Sequence, residues 1–99
     1  CLVAYKEHKS ELFDLSDDER NAFMKDVARV AKAMSEAFGA YKINYGAYAD
    51  KMTHLHYHIV PKYEGGPGFG GTFEMMPEPK VLLSEAEYEE LIRRIKEKL

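Results

Sequence analysis

Three of the chain's four histidines stand at alternate positions, His54, His56 and His58, with Leu55, Tyr57 and Ile59 between and beyond them. In an extended strand, side chains two apart project from the same face, about 6–7 Å from one another along the chain. The pattern therefore predicts a row of three imidazoles on one side and an apolar row on the other. The apolar row has a plain structural use, packing against a helix. The imidazole row has none, because three such groups titrate near neutrality and repel one another when all are protonated. Two chemistries compete for it. Two histidines at i and i+2 can share a metal ion that a third ligand completes, although only His8 and scattered acids are available as that ligand. Alternatively, a neutral imidazole attacks phosphorus and splits one hard displacement into two easier ones through a covalent phosphoramidate. The middle residue is the natural nucleophile, since both neighbours can then hold phosphate oxygens or protonate the leaving group.

The histidines need a strand, and the strand needs cover. Tyr41–Gly46 reads as the strand before it, with a polar connection from Ala47 to Thr53, which predicts an antiparallel hairpin. Leu2–Tyr5 reads as a further short strand, followed by a polar turn through His8. Ser16-Asp17-Asp18-Glu19 is a capping box. After it Phe23, Val27, Val30, Ala31, Met34 and Phe38 recur at helical spacing until Gly39 stops them, so the spacing predicts one amphipathic helix over 17–38. Ser84–Glu87 is a second capping box, and Tyr88, Leu91, Ile92, Ile95 and Leu99 mark a C-terminal amphipathic helix. Five of the chain's seven glycines fall between Glu64 and Gly71 and make that stretch a loop. The longer segment from Gly65 to Pro79, carrying Phe69, Phe73, Met75 and Met76, reads as surface loop, with closure over the site or a dimer contact as the other reading. Strands and helices mix without regular βαβ repetition, which points to α+β with an antiparallel sheet.

Composition limits the partners. The 99 residues allow one domain, spanning 1–99, with 45% hydrophobic and 31% charged residues. A net charge of −3 gives no basis for gripping a long nucleic acid, whereas a single nucleotide needs only a few N–H donors. One cysteine, Cys1, excludes an internal disulfide and any cysteine-rich zinc module. No apolar run approaches a membrane span, and the default expectation is a cytoplasmic protein.

His54-Leu55-His56-Tyr57-His58-Ile59-Val60 resembles the signature of the histidine-triad (HIT) family, and Pro61-Lys62-Tyr63 follows as a basic residue after proline often does there. The resemblance extends to Tyr5-Lys6-Glu7-His8, to Leu12–Glu19 and to Ile43-Asn44-Tyr45-Gly46, roughly residues 1 to 63 in all. It implies a helix against an antiparallel sheet of about five strands, usually in a homodimer. It implies that His56 is the nucleophile, that His58 contacts phosphate oxygens and that His54 holds the nucleophile's ring. His8 corresponds to a supporting histidine, and Asn44 to an asparagine near the phosphate and leaving group. The chain departs from the family just before the triad, at Ala49-Asp50-Lys51-Met52-Thr53, where Asp50 repels a phosphate and Lys51 attracts one; Lys51 and Thr53 complete the expected nucleotide contacts. Family domains begin some tens of residues earlier, so the natural domain is expected to be longer at its N-terminus.

The expected activity is hydrolysis or transfer on a nucleoside phosphoramidate or dinucleoside polyphosphate through a nucleotidyl-histidine, releasing a nucleoside monophosphate. No metal is required, and magnesium is admissible beside a polyphosphate. Two alternatives stay open: a nucleotide-binding regulatory module with little turnover, and a protein using His54, His56 and His58 as metal ligands.

Overall fold

The computed structural model describes all residues, Cys1 to Leu99. In chain order it has β1 (Leu2–Ala4), a single 3-10 turn (Leu12–Asp14), α1 (Asp17–Phe38), β2 (Lys42–Gly46), β3 (His56–Lys62) and α2 (Glu85–Lys98). The bounds of α1 are those expected, because both ends are set by local chemistry. Ser16 Oγ accepts from the Glu19 amide at 3.2 Å, and the Ser16 amide donates to Glu19 Oε1 at 2.9 Å. At the other end Gly39 takes a left-handed φ of 59°, which side-chain-bearing residues resist, and its amide closes onto the Ser35 carbonyl.

β3 is the middle strand of an antiparallel sheet ordered β1-β3-β2. Leu2 pairs with His58 and Ala4 with His56 on one side; Gly46 pairs with His58 and Asn44 with Val60 on the other. The sheet has three strands, where the family resemblance implied about five. Residues 64–84 add none, since five glycines and three prolines there cannot sustain a ladder of amide donors. The strand reading also needs one adjustment at the triad. β3 begins at His56, and His54 lies just ahead of it in an irregular stretch, where Leu55 bonds through its amide to Lys9 O (2.8 Å) and through its carbonyl to Tyr5 N (2.9 Å).

The apolar row behaves as its spacing requires. Leu55 and Ile59 are buried in one cluster with Leu15 and the α1 stripe Phe23, Val27, Ala31 and Met34, and Tyr57 packs on its margin. Helix α1 thus covers one face of the sheet, and the histidines are left on the other.

Helix α2 lies against α1. Arg94 bonds to the Ala37 carbonyl at 2.6 Å, and its guanidinium stands 4.8 Å from the centre of the Phe38 ring. The apolar stripe read for this helix is only partly covered. Leu91 and Ile95 are half-buried, while Tyr88, Ile92 and Leu99 remain exposed, because α2 meets one neighbouring helix rather than a helix and a sheet.

Candidate active site

Each triad histidine has a different environment, and backbone carbonyls set two of them. A carbonyl oxygen only accepts, so the ring nitrogen facing one must carry a proton. His56 Nδ1 stands 2.7 Å from the His54 carbonyl, so Nδ1 holds the hydrogen and the Nε2 lone pair is free. The ring is 95% buried, at 5% exposure, which holds its direction. His54 Nε2 stands 2.5 Å from the Tyr5 carbonyl and likewise donates. Tyr5 is itself tied down: its hydroxyl bonds Glu19 Oε2 at 3.2 Å, and its ring meets Phe23 edge-on. The first histidine is therefore anchored to the start of α1 through the chain that supplies its acceptor.

His58 differs. Its ring lies 5.1 Å from that of His56 and at 65° to it, with Phe73 at 6.0 Å and Tyr48 at 6.3 Å. Its Nε2 is buried without a hydrogen-bond partner. Burial in the first place, and then the neighbouring His56, push its pKa below the ordinary 6.5. The third histidine is thus held neutral at neutral pH, with one nitrogen left unpaired. A buried polar atom without a partner is rare enough to call for a reason.

His56 lines a cleft of about 340 Å³ between the Ser10–Leu12 turn and the β2–β3 connection. Thr53 and Asp50 line it and Lys51, which is exposed, does not. His8 is brought to the triad, with its ring 5.8 Å from that of His54. Asn44 sits on the histidine face of the sheet, two pairs along from Gly46 and His58, and lines a separate small recess with Lys62 and Phe69. Nowhere do three side chains of histidine, cysteine, aspartate or glutamate converge as a bound metal ion would require.

Comparison with known proteins gives this arrangement a family. The model of the HIT domain matches residues 1–65. The chain belongs to the HIT family. An uncharacterized HIT-like protein of Methanocaldococcus jannaschii is 35% identical over 68 residues, covering 65% of this chain and 53% of the relative. The Bacillus subtilis protein hit is 28% identical over 78 residues, or 74% of this chain and 54% of its own length. The chain thus spans about half the length of these curated relatives. Among solved structures, a histidine triad protein from Sinorhizobium meliloti superposes with a TM-score of 0.89 at 26% identity, covering 99% of this chain and 73% of that one. A hypothetical histidine triad nucleotide-binding protein from Sulfolobus tokodaii gives 0.76 at 25% identity, covering 98% of this chain and 66% of its own. The likeness to HIT structures therefore continues through α2, past the residues that the HIT domain model matches.

The residues that sequence reasoning did not assign to the site are Tyr5, Tyr48, Lys62 and Phe73. Tyr5 acts through its backbone, which no residue type announces. Lys62 carried a readable signal, since it continues the even-numbered face His54-His56-His58-Val60 of the same strand. Phe73 and Tyr48 lie 15 and 10 residues from His58 in the chain; closure of the Phe73 segment over the site was the second reading of that loop, and nothing local in the sequence joins Tyr48 to His58.

Proposed function

We propose that this HIT-family chain binds a nucleotide and carries the nucleophile of a nucleotidyl hydrolase or transferase. The observation that supports this most is the His56 ring, buried and proton-bearing at Nδ1, with the Nε2 lone pair left for attack. In the first step Nε2 forms a bond to the α-phosphorus of a nucleoside phosphoramidate or dinucleoside polyphosphate. The bond from phosphorus to the leaving amine or phosphate breaks with its electron pair going to the leaving group, which takes a proton from solvent. In the second step water attacks the same phosphorus, the nitrogen–phosphorus bond breaks, and nucleoside monophosphate is released as the imidazole returns to its neutral form. His58, neutral and with Nε2 unpaired, can donate to a phosphate oxygen in its Nε2–H tautomer. His54 fixes the segment whose carbonyl orients His56, and His8 supports His54. Asn44, on the same face, and Thr53, in the cleft, are the further proposed nucleotide contacts; exposed Lys51 contributes long-range attraction only. The scheme contains no metal step, and magnesium would arrive with a polyphosphate substrate. The working form proposed is a cytoplasmic homodimer. No helix of the chain is long and apolar enough to cross a membrane.

A second reading, a nucleotide-binding module with little turnover, draws support from the crowding of His58 by Tyr48 and Phe73 and from the nucleotide-binding name of the Sulfolobus tokodaii structure. Intact-mass spectrometry with an adenosine phosphoramidate separates the two. The proposal expects a nucleotidyl adduct on the wild type, none on His56→Ala, and released monophosphate. Binding without adduct or monophosphate would move the module reading ahead.

A further inference from the structure

Lys62 is the one lysine buried in the structure, at 4% exposure, and no carboxylate meets it. Its ammonium instead donates to the carbonyls of Gly68 at 2.5 Å and Gly71 at 2.7 Å. Removing a lysine from water is unfavourable unless its donors are satisfied, and here the acceptors come from the glycine loop. Gly68 has a φ of +71°, and a Cβ added there would stand 3.3 Å from the ammonium, so the loop backbone is shaped around the lysine.

Two residues past Gly71, the Phe73 ring packs edge-on against Tyr48 at 6.1 Å, and both rings flank His58. The strand opposite makes room for them. Gly46, paired with His58, is buried, and a Cβ there would lie 2.5 Å from the Tyr48 ring and 3.0 Å from that of Phe73. A clamp, a spacing and a gap in the neighbouring strand thus converge on one histidine. We propose that Lys62 is a positioning residue: by gripping the Gly68 and Gly71 carbonyls it seats Phe73 against Tyr48 and closes an aromatic cover over His58. The cover keeps water from the third histidine and so holds it neutral. The ionisable groups that face His58 are the His56 imidazole, the Tyr48 phenol and the amino group of Cys1, which sits on the Ile59 carbonyl. None of them changes when Lys62 or Phe73 is replaced.

Ring-proton NMR titration of His58 in the whole chain tests the proposal. In the wild type its midpoint should lie below 6.5, because burial disfavours the charged ring. Phe73→Ala and Lys62→Met should each move it up toward that value. Lys62→Met alone should also open residues 64–76 to limited proteolysis. A rise in Phe73→Ala with none in folded Lys62→Met would overturn the clamp, and no rise in either would overturn the cover. Should Lys62→Met fail to fold, inserting two glycines between Gly71 and Phe73 leaves the lysine and both acceptors in place while unseating the ring. The same upward shift is then expected, and an unchanged midpoint would overturn the proposal. A kinetic counterpart rests on the proposed function: the acidic limb of phosphoramidate turnover should move up with the His58 midpoint in Phe73→Ala. Without turnover in the wild type the function proposal fails, while the titrations still decide the clamp.

Discussion

Protonating His58 means placing charge on a ring hemmed in by Phe73, Tyr48 and a second imidazole. In the unfolded chain the same group titrates at its ordinary 6.5, and in the folded one it titrates lower. Above that value both states are neutral and the difference contributes nothing. Below it the unfolded state takes up the proton first, so folding weakens as the pH falls, and the penalty reaches its full size once the folded midpoint is passed. Thermal unfolding followed from pH 7 to pH 5 should therefore show a steeper decline for the wild type than for His58→Gln. Equal slopes would mean that the ring is not held out of water. Tyr5→Phe probes the first histidine at the same scale. It removes the bond to Glu19 and should cost about 0.5–1.5 kcal/mol in urea unfolding. The Tyr5 carbonyl, and with it the His54 bond, should remain.

At the scale of elements, the two capping boxes are the same motif in unlike settings. Ser16 starts the helix that covers the sheet, and Ser84 starts one that is exposed over much of its surface. Ser16→Ala should lower global stability by about 1 kcal/mol, measured by denaturant midpoint. Ser84→Ala should appear chiefly as faster amide exchange within α2. In the sheet, Ile59 is fully buried between the strand and α1, and Ile59→Val should cost about 0.5–1.5 kcal/mol. The same contrast explains what was legible in the sequence. Residues 17–38 could be read to the residue because cap, stripe and stop all lie within the segment. The face carrying His56 and His58 followed from alternation alone. The pairing of β1 with β3 joins residues about fifty apart, and no local signal encodes it. Tyr5 was legible as a strand end but not as the acceptor for His54, because it uses its carbonyl. The aromatic cover was legible only as the second reading of the 65–79 segment, closure over the site, because glycine-rich sequence does not say which ring lands where.

Across the whole molecule, α1 separates two regions. The triad lies on the face of the sheet turned away from α1, while α2 is fastened to α1 through Arg94 at Ala37 and Phe38. Arg94→Ala should cost about 1–3 kcal/mol from the lost charged hydrogen bond and the cation–π contact. The histidine ring signals should stay where they are. A shift of the His56 or His58 signals in that variant would show that α2 reaches the site through α1.

β3 is paired on both sides, and its two faces have unrelated duties. Sliding it by a single residue against either neighbour would exchange those faces, turning imidazoles inward and Leu55, Tyr57 and Ile59 out to solvent. Such an error would ruin the hydrophobic interior in the same movement that ruined the chemistry. A well-packed molecule with its histidines misaligned is therefore not among the states open to this chain, and the alignment of its triad is proofread by its own folding.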